Sequence, residues 1–299
     1  MASIHVNNIS KRFGSTQAVD GVSFDVQPGE IFGLLGPNGA GKTTTIRIIL
    51  DIFKPDSGTV EVLGGKMNEQ KKNLIGYLPE ERGLYQDIPV ERCLQFMAQL
   101  KGMNKQVADD RIQSMLNDFD LSDSRKKKVK ELSKGMQQKA QLITTLVHEP
   151  QLIIIDEPFS SLDPVNTQMV KDLLISERNK GKAVVMCTHQ MAQVEQLCDR
   201  LVLIDKGKVV LQGSLDDIRK QFTSRDVLIR TNTELPSGIK DIIQVEPHNG
   251  RQKLILSENT TPQQILKQLV DSGVQLEEFE IAVPSLDEIF VQSVSTKGN

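Results

Sequence analysis

The eight residues GPNGAGKT, 36–43, limit the folds open to this chain more than any other stretch. They follow IFGLLG (31–36), an apolar run of a length suited to one buried strand. They lead into TTTIRIIL (43–50), whose apolar residues fall at helical spacing. A strand, a glycine loop and a helix in that order are the context that turns GxxxxGK[ST] from a text match into a phosphate loop. The glycines let the backbone curl so that several N–H groups aim at one anion. Gly36, Pro37, Asn38, Gly39, Ala40, Gly41, Lys42, Thr43 and Thr44 are therefore expected to hold a nucleotide's phosphates. Lys42 would reach the β- and γ-phosphates, and the Thr43 hydroxyl would bind Mg²⁺.

A second segment, LIIIDEP (152–158), supplies acids. Its apolar residues bury a strand, and Asp156 and Glu157 emerge at the carboxyl end, where open α/β sheets bind ligands. Asp156 is expected to hold Mg²⁺ through water, and Glu157 to orient or deprotonate an attacking water. His189 ends another apolar strand, AVVMCTH (183–189), and from there could reach a γ-phosphate from the side. RLVLIDKGKVV (200–210) also has strand character. Strands alternating with helical patterns imply a parallel α/β core. Residues 4–28 instead alternate in strand fashion around a glycine turn, and 90–149 carry apolar residues at helical spacing. The helical subdomain is placed at about 83–149, within a domain spanning 1–218.

From 219 the pattern changes to DVLIRT, QKLILSE and turn-rich segments, a separate small α+β domain over 219–299. Within it Thr261 with Gln264, and Ser285 with Glu288, read as capping boxes. Across 299 residues the formal charge is −3, which gives no electrostatic ground for nucleic acid or anionic lipid. Cys93, Cys187 and Cys198 lack metal-ligand spacing and fit a reducing compartment. No stretch approaches the ~20 apolar residues of a membrane span, so action at a membrane needs another chain. RKKKVK (125–130) reads as a solvated face, and Met97, Met103 and Met115 as core.

LSKGMQQK (132–139) adds a second helix start, with Ser133 as N-cap and Gly135 leaving N–H groups accessible. Taken together, these segments over roughly 1–218 resemble the ATP-binding subunit of ABC transporters. GPNGAGKTT resembles Walker A, LIIIDEP Walker B, LSKGMQQK the LSGGQ signature, SSLD (160–163) the D-loop with Asp163, and THQ (188–190) the switch histidine. In that family an aromatic stacks on adenine, which implies Phe13 of KRF (11–13) for that role. The resemblance implies a RecA-like P-loop core with an N-terminal antiparallel β subdomain and a helical signature subdomain. It also implies MgATP hydrolysis and head-to-tail pairing with a second copy or a homologous ATPase. Ser133 and Gly135 would then touch the γ-phosphate held by the partner chain. The implied further partner is a separate membrane permease pulled through the 77–100 region, which places the protein at the cytoplasmic face of the cell membrane.

Two departures stand out. Lys134 and Met136 replace residues usual in the signature, and Glu80 of GYLPEERGLY (76–85) stands where the family usually has glutamine. A carboxylate there can still bind Mg²⁺ or water. The EERGLY variant and the ending PSLDEIF resemble a subfamily linked to sodium, drug or antibiotic export. A non-transport ABC ATPase is the competing reading, but its repair members carry long coiled-coil or zinc-bearing insertions that this chain lacks. A P-loop GTPase would need an NKxD-like reader, and IDKG (204–207) lacks the asparagine.

Overall fold

The structure is a computed structural model and describes residues 1–81, 83–222, 226–233, 235–236, 239–257 and 259–296. The chain divides into two compact units, Met1–Leu215 and Asp216–Asn299.

The first unit opens with two long strands, β1 (Ile4–Phe13) and β2 (Thr16–Val26), paired antiparallel so that Phe13 lies opposite Thr16. Next come β3 (Ile31–Leu35), buried throughout, α1 (Lys42–Ile49) and β4 (Ser57–Val62). β4 pairs with β1, giving an antiparallel sheet in the order β2-β1-β4. A single turn, α2 (Glu69–Lys72), precedes β5 (Ile75–Leu78). The helical stretch then runs through α3 (Val90–Leu100), α4 (Lys105–Asp118) and α5 (Lys134–Leu146). The chain continues through β6 (Leu152–Asp156), α6 (Pro164–Asn179), β7 (Ala183–Thr188), α7 (Met191–Leu197), β8 (Arg200–Asp205) and β9 (Lys208–Ser214).

The larger sheet has the order β5-β6-β7-β3-β8-β9, parallel from β5 to β8 with β9 antiparallel at the edge. β6 and β7 are buried at every residue, as parallel strands covered on both faces must be. One apolar core joins the two sheets, with Phe24 of β2 stacked on Phe32 of β3 at 5.3 Å. RLVLIDKGKVV is not one strand: it bends into the β8–β9 hairpin at Lys206 and Gly207, whose φ values of 48° and 79° suit a tight turn. Lys126, Lys127 and Lys128 are exposed in a loop. Met97, Met103 and Met115 are half-buried rather than core: Met97 and Met115 lie at the margins of the buried faces of α3 and α4, and Met103 lies in the turn between them.

α8 (Leu215–Gln221) spans the division between the units. The second unit holds β10 (Val227–Thr231), β11 (Ile242–His248), β12 (Arg251–Leu256), α9 (Pro262–Asp271), β13 (Leu276–Ile281) and α10 (Leu286–Thr296). Its antiparallel sheet has the order β11-β12-β10-β13. Val227, Ile229 and Leu254 pack there with Ile265 and Leu269 of α9. Both capping boxes form: Thr261 with Gln264, and Ser285 with Glu288. Among the described residues no helix is long and apolar enough to cross a membrane.

Candidate functional site

The loop between β3 and α1 is shaped by contacts that only glycine permits. Gly36 has φ 149°, and a Cβ there would stand 2.1 Å from the Ile204 carbonyl oxygen. Gly41 has φ 106°, and its Cβ would stand 2.3 Å from the Ala18 carbonyl oxygen. Gly41 is also the N-cap of α1 and offers no side-chain acceptor, so the first N–H groups of that helix stay open to an anion. Lys42 is buried and curls back over the loop, its Nζ donating to the carbonyls of Gly36 (2.7 Å) and Pro37 (3.1 Å).

This loop floors a cleft of about 520 Å³. Asn38, Gly39, Gly41, Lys42, Thr43 and Thr44 contribute to its lining. The acids Glu80, Asp156 and Glu157 line it too. Glu80 follows β5, Asp156 ends β6 and Glu157 follows it, and both strands lie on one side of β3 in the sheet. Thr16, Gln17 and Ala18 of β2 complete the lining together with Lys206, from the β8–β9 turn on the other side of β3. Gly36, Pro37 and Ala40 lie in the loop without lining the cleft. Arg82 of the GYLPEERGLY segment lies outside the described residues.

Asp156 is almost wholly buried, and that burial pushes its carboxyl above the usual carboxylate range. The Cys187 thiol donates to it, and Thr43 Oγ1 lies 3.4 Å from its Oδ2. Glu157 turns the corner after β6 with φ 52°, a conformation side chains seldom adopt. Its N–H donates to the Cys187 carbonyl at 2.9 Å, fixing that corner to β7. Its Oε2 accepts from Thr188 Oγ1 at 3.0 Å. Its Oε1 accepts from the His189 N–H at 3.0 Å and lies 2.6 Å from His189 Nδ1. His189 does not line the cleft; it meets it through Glu157.

The remaining candidates lie apart. Ser133 caps α5, its Oγ accepting from the Met136 N–H at 3.2 Å, and it is exposed. Gly135, in the first turn, lies with its Cα hydrogen toward Ser161: a Cβ there would be 3.5 Å from the Ser161 carbonyl oxygen. No residue of 132–136 lines the cleft. Further along α5, Gln138 donates to the Pro158 carbonyl and Gln141 to the Glu81 carbonyl at 3.3 Å, so this helix grips the segments that follow β6 and β5. Asp163 caps α6, and its bond from the Asn166 N–H lowers its pKa. Phe13 is part-exposed and meets Phe53 edge-on at 5.4 Å; its strand partner Thr16 lines the cleft.

Sequence reasoning missed Thr16, Gln17, Ala18, Lys206 and Thr188. Lys206 follows a parallel strand, the position that had singled out Asp156 and His189 as candidates, but the run looked unbroken and hid the turn. Thr188 touches no cleft and shows itself only through its bond to Glu157.

The family model described as ABC transporter matches residues 19–160. The model described as ATP-binding protein DrrA1-3-like, C-terminal domain, matches residues 213–294. The chain is 40% identical to the ABC transporter ATP-binding protein YhaQ of Bacillus subtilis, over 97% of each chain. It is 36% identical to the Nod factor export ATP-binding protein I of Burkholderia lata, over 72% of this chain and 71% of that one. A solved structure described as an ATP binding subunit of an ABC transporter superposes with a TM-score of 0.69 at 32% identity, covering 73% of this chain and 92% of the other.

Proposed function

This chain belongs to the ATP-binding ATPase subunits of ABC transporters, and on that premise we propose that two such chains pair head to tail around MgATP. Each cleft holds one nucleotide, and each α5 closes the cleft of the other chain. What carries the reading is the separation of two halves of one site. The glycine loop and the acids share a cleft, while Ser133, exposed, and Gly135, half-buried, lie outside its lining.

The loop amides and Lys42 bind the β- and γ-phosphates; Lys42 exchanges its loop carbonyls for phosphate oxygens. Thr43, Asp156 and Glu80 offer an all-oxygen donor set suited to Mg²⁺. Among the described residues no group of three His, Cys, Asp or Glu forms a metal cage, which fits an ion that completes its shell with phosphate and water. When bound, Mg²⁺ neutralises charge on the β- and γ-phosphate oxygens. Glu157, braced by Thr188 and His189, positions the attacking water and takes its proton. Ser133 and Gly135 of the partner copy approach the γ-phosphate, a contact worth roughly 0.3–2 kcal/mol from the helix dipole. Its loss on hydrolysis loosens the pair. Phe13 flanks the adenine, and Asp163 holds the D-loop by capping α6.

The permease-facing surface falls within 77–100, where Tyr85 and Phe96 form an exposed aromatic pair at 5.5 Å beside exposed Leu100. We assign the protein to the cytoplasmic face of the cell membrane, held there by the permease, a reading supported by its family. Export is the direction suggested by the Nod factor export relative and by the DrrA1-3-like match of the C-terminal domain.

Glu157→Gln tests the catalytic assignment. It should leave MgATP binding within a few-fold while lowering hydrolysis by about 10²–10⁴. Turnover near that of the parent would refute the role.

A further inference from the structure

We propose that Lys206 is a second nucleotide-binding cation, meeting the α-phosphate end of ATP opposite the acidic wall. The inference rests on the cleft's being the nucleotide site. Lys206 lines that cleft, is exposed, and has no ion-pair partner among the described residues. The nearest acid on β2, Asp20, is taken by Lys208 at 3.3 Å.

The turn that carries Lys206 is fixed to the phosphate loop. Gly207 donates its N–H to the Ala40 carbonyl at 2.9 Å and accepts from the Asp20 N–H at 2.8 Å. A Cβ on Gly207 would be 3.0 Å from the Ala18 carbonyl oxygen, so the turn is pressed against β2 as well. The ammonium group is thus carried by backbone that cannot drift from the loop. Strand order then sets which part of the nucleotide it meets. β3, which feeds the loop, has β7, β6 and β5 on one side and β8 on the other. Glu80, Asp156 and Glu157 come from the first side, so the γ-phosphate and its water belong there. Lys206 comes from the second, so it faces the phosphate farthest from the reacting bond. Among the described residues of the lining, three carboxylates face two lysines, Lys42 and Lys206, so the second cation favours a polyanion there.

Such a residue binds ATP and ADP alike, because the α-phosphate is common to both. The test is calorimetric titration of the whole chain with MgATP and MgADP. The variants are Lys206→Asn and Lys206→Gly, both at home at the positive φ of this position, with Lys206→Arg and Lys42→Ala alongside. The expected result is a 3–10-fold weaker affinity for both nucleotides in the Asn and Gly variants, a loss that shrinks in high salt and is restored by Arg. In steady state the change falls on KM rather than kcat. Affinities equal to the parent in the Asn and Gly variants, with Lys42→Ala severely weakened, would overturn the inference and leave the cleft assignment standing. Undiminished binding by Lys42→Ala would overturn both. A defect confined to ATP would also overturn it, since it would put Lys206 at the γ-phosphate.

Discussion

Two helix beginnings in this molecule are built from similar residues and left in opposite states. α1 starts at Gly41, with no side-chain cap, inside a cleft lined by acids and lysines. α5 starts at Ser133, capped by its own hydroxyl, exposed, and outside that cleft. On the proposed reading the first is an anion cradle within one chain, and the second keeps its remaining N–H groups for an anion brought by another chain. Substitutions at α1 should therefore act on a single chain, and those at α5 on a pair.

The largest effect is expected from Lys42→Ala, which removes a buried cation from the phosphate cradle. ATP affinity, measured by calorimetry, should fall by about 100-fold; an unchanged affinity would break the α1 half of the comparison. Gly41→Ala should come next. Its methyl group would meet the Ala18 carbonyl at 2.3 Å while the backbone holds φ 106°. A loss of about 2–4 kcal/mol in denaturant unfolding is expected for the unliganded chain. At the other helix the same experiments should read differently. Ser133→Ala removes only the cap and should cost about 1 kcal/mol in stability, with nucleotide affinity of the single chain unchanged. Gly135→Ala should be the mildest in the single chain. Its methyl finds 3.5 Å of room and replaces a helical glycine, so stability should rise by about 0.5–1 kcal/mol while ATP-driven pairing weakens. Pairing as strong as the parent's would show that this glycine faces no phosphate.

The same contrast marks what the residues disclosed by themselves. The phosphate loop was legible because its constraints are local: a buried strand, glycines where a Cβ would collide, a lysine and a helix. Asp156 and Glu157 were legible because β6 is apolar throughout and its end is the place for polar work. Capping boxes at Thr261 and Ser285 were legible for the same reason, being contacts within four residues. Long-range features were not. Lys206 reaches the cleft because β8 lies next to β3, a neighbourhood no spacing along the chain encodes. Thr188 braces Glu157 across adjacent strands β6 and β7. β11 and β13 went unread because Ile243, Val245 and Ile281 are exposed and break the apolar alternation that marks a half-buried strand. β5 is four residues long and lay inside a segment noticed for its acids.

The Glu157 carboxylate is buried at a strained corner, accepts from Thr188 Oγ1 and the His189 N–H, and lies against His189 Nδ1. That arrangement holds the carboxylate still beside the cleft, as the proposed role of proton acceptor requires. In the proposed pair, closure would add a second dipole aimed at the γ-phosphate.

Light scattering of the Glu157→Gln protein with MgATP, with and without Ser133→Arg, tests the shared grip most directly. The mass should double on adding nucleotide to Glu157→Gln and stay that of one chain when arginine replaces Ser133, although both bind ATP. A doubled mass in the Ser133→Arg protein, at the same nucleotide concentration, would contradict the account.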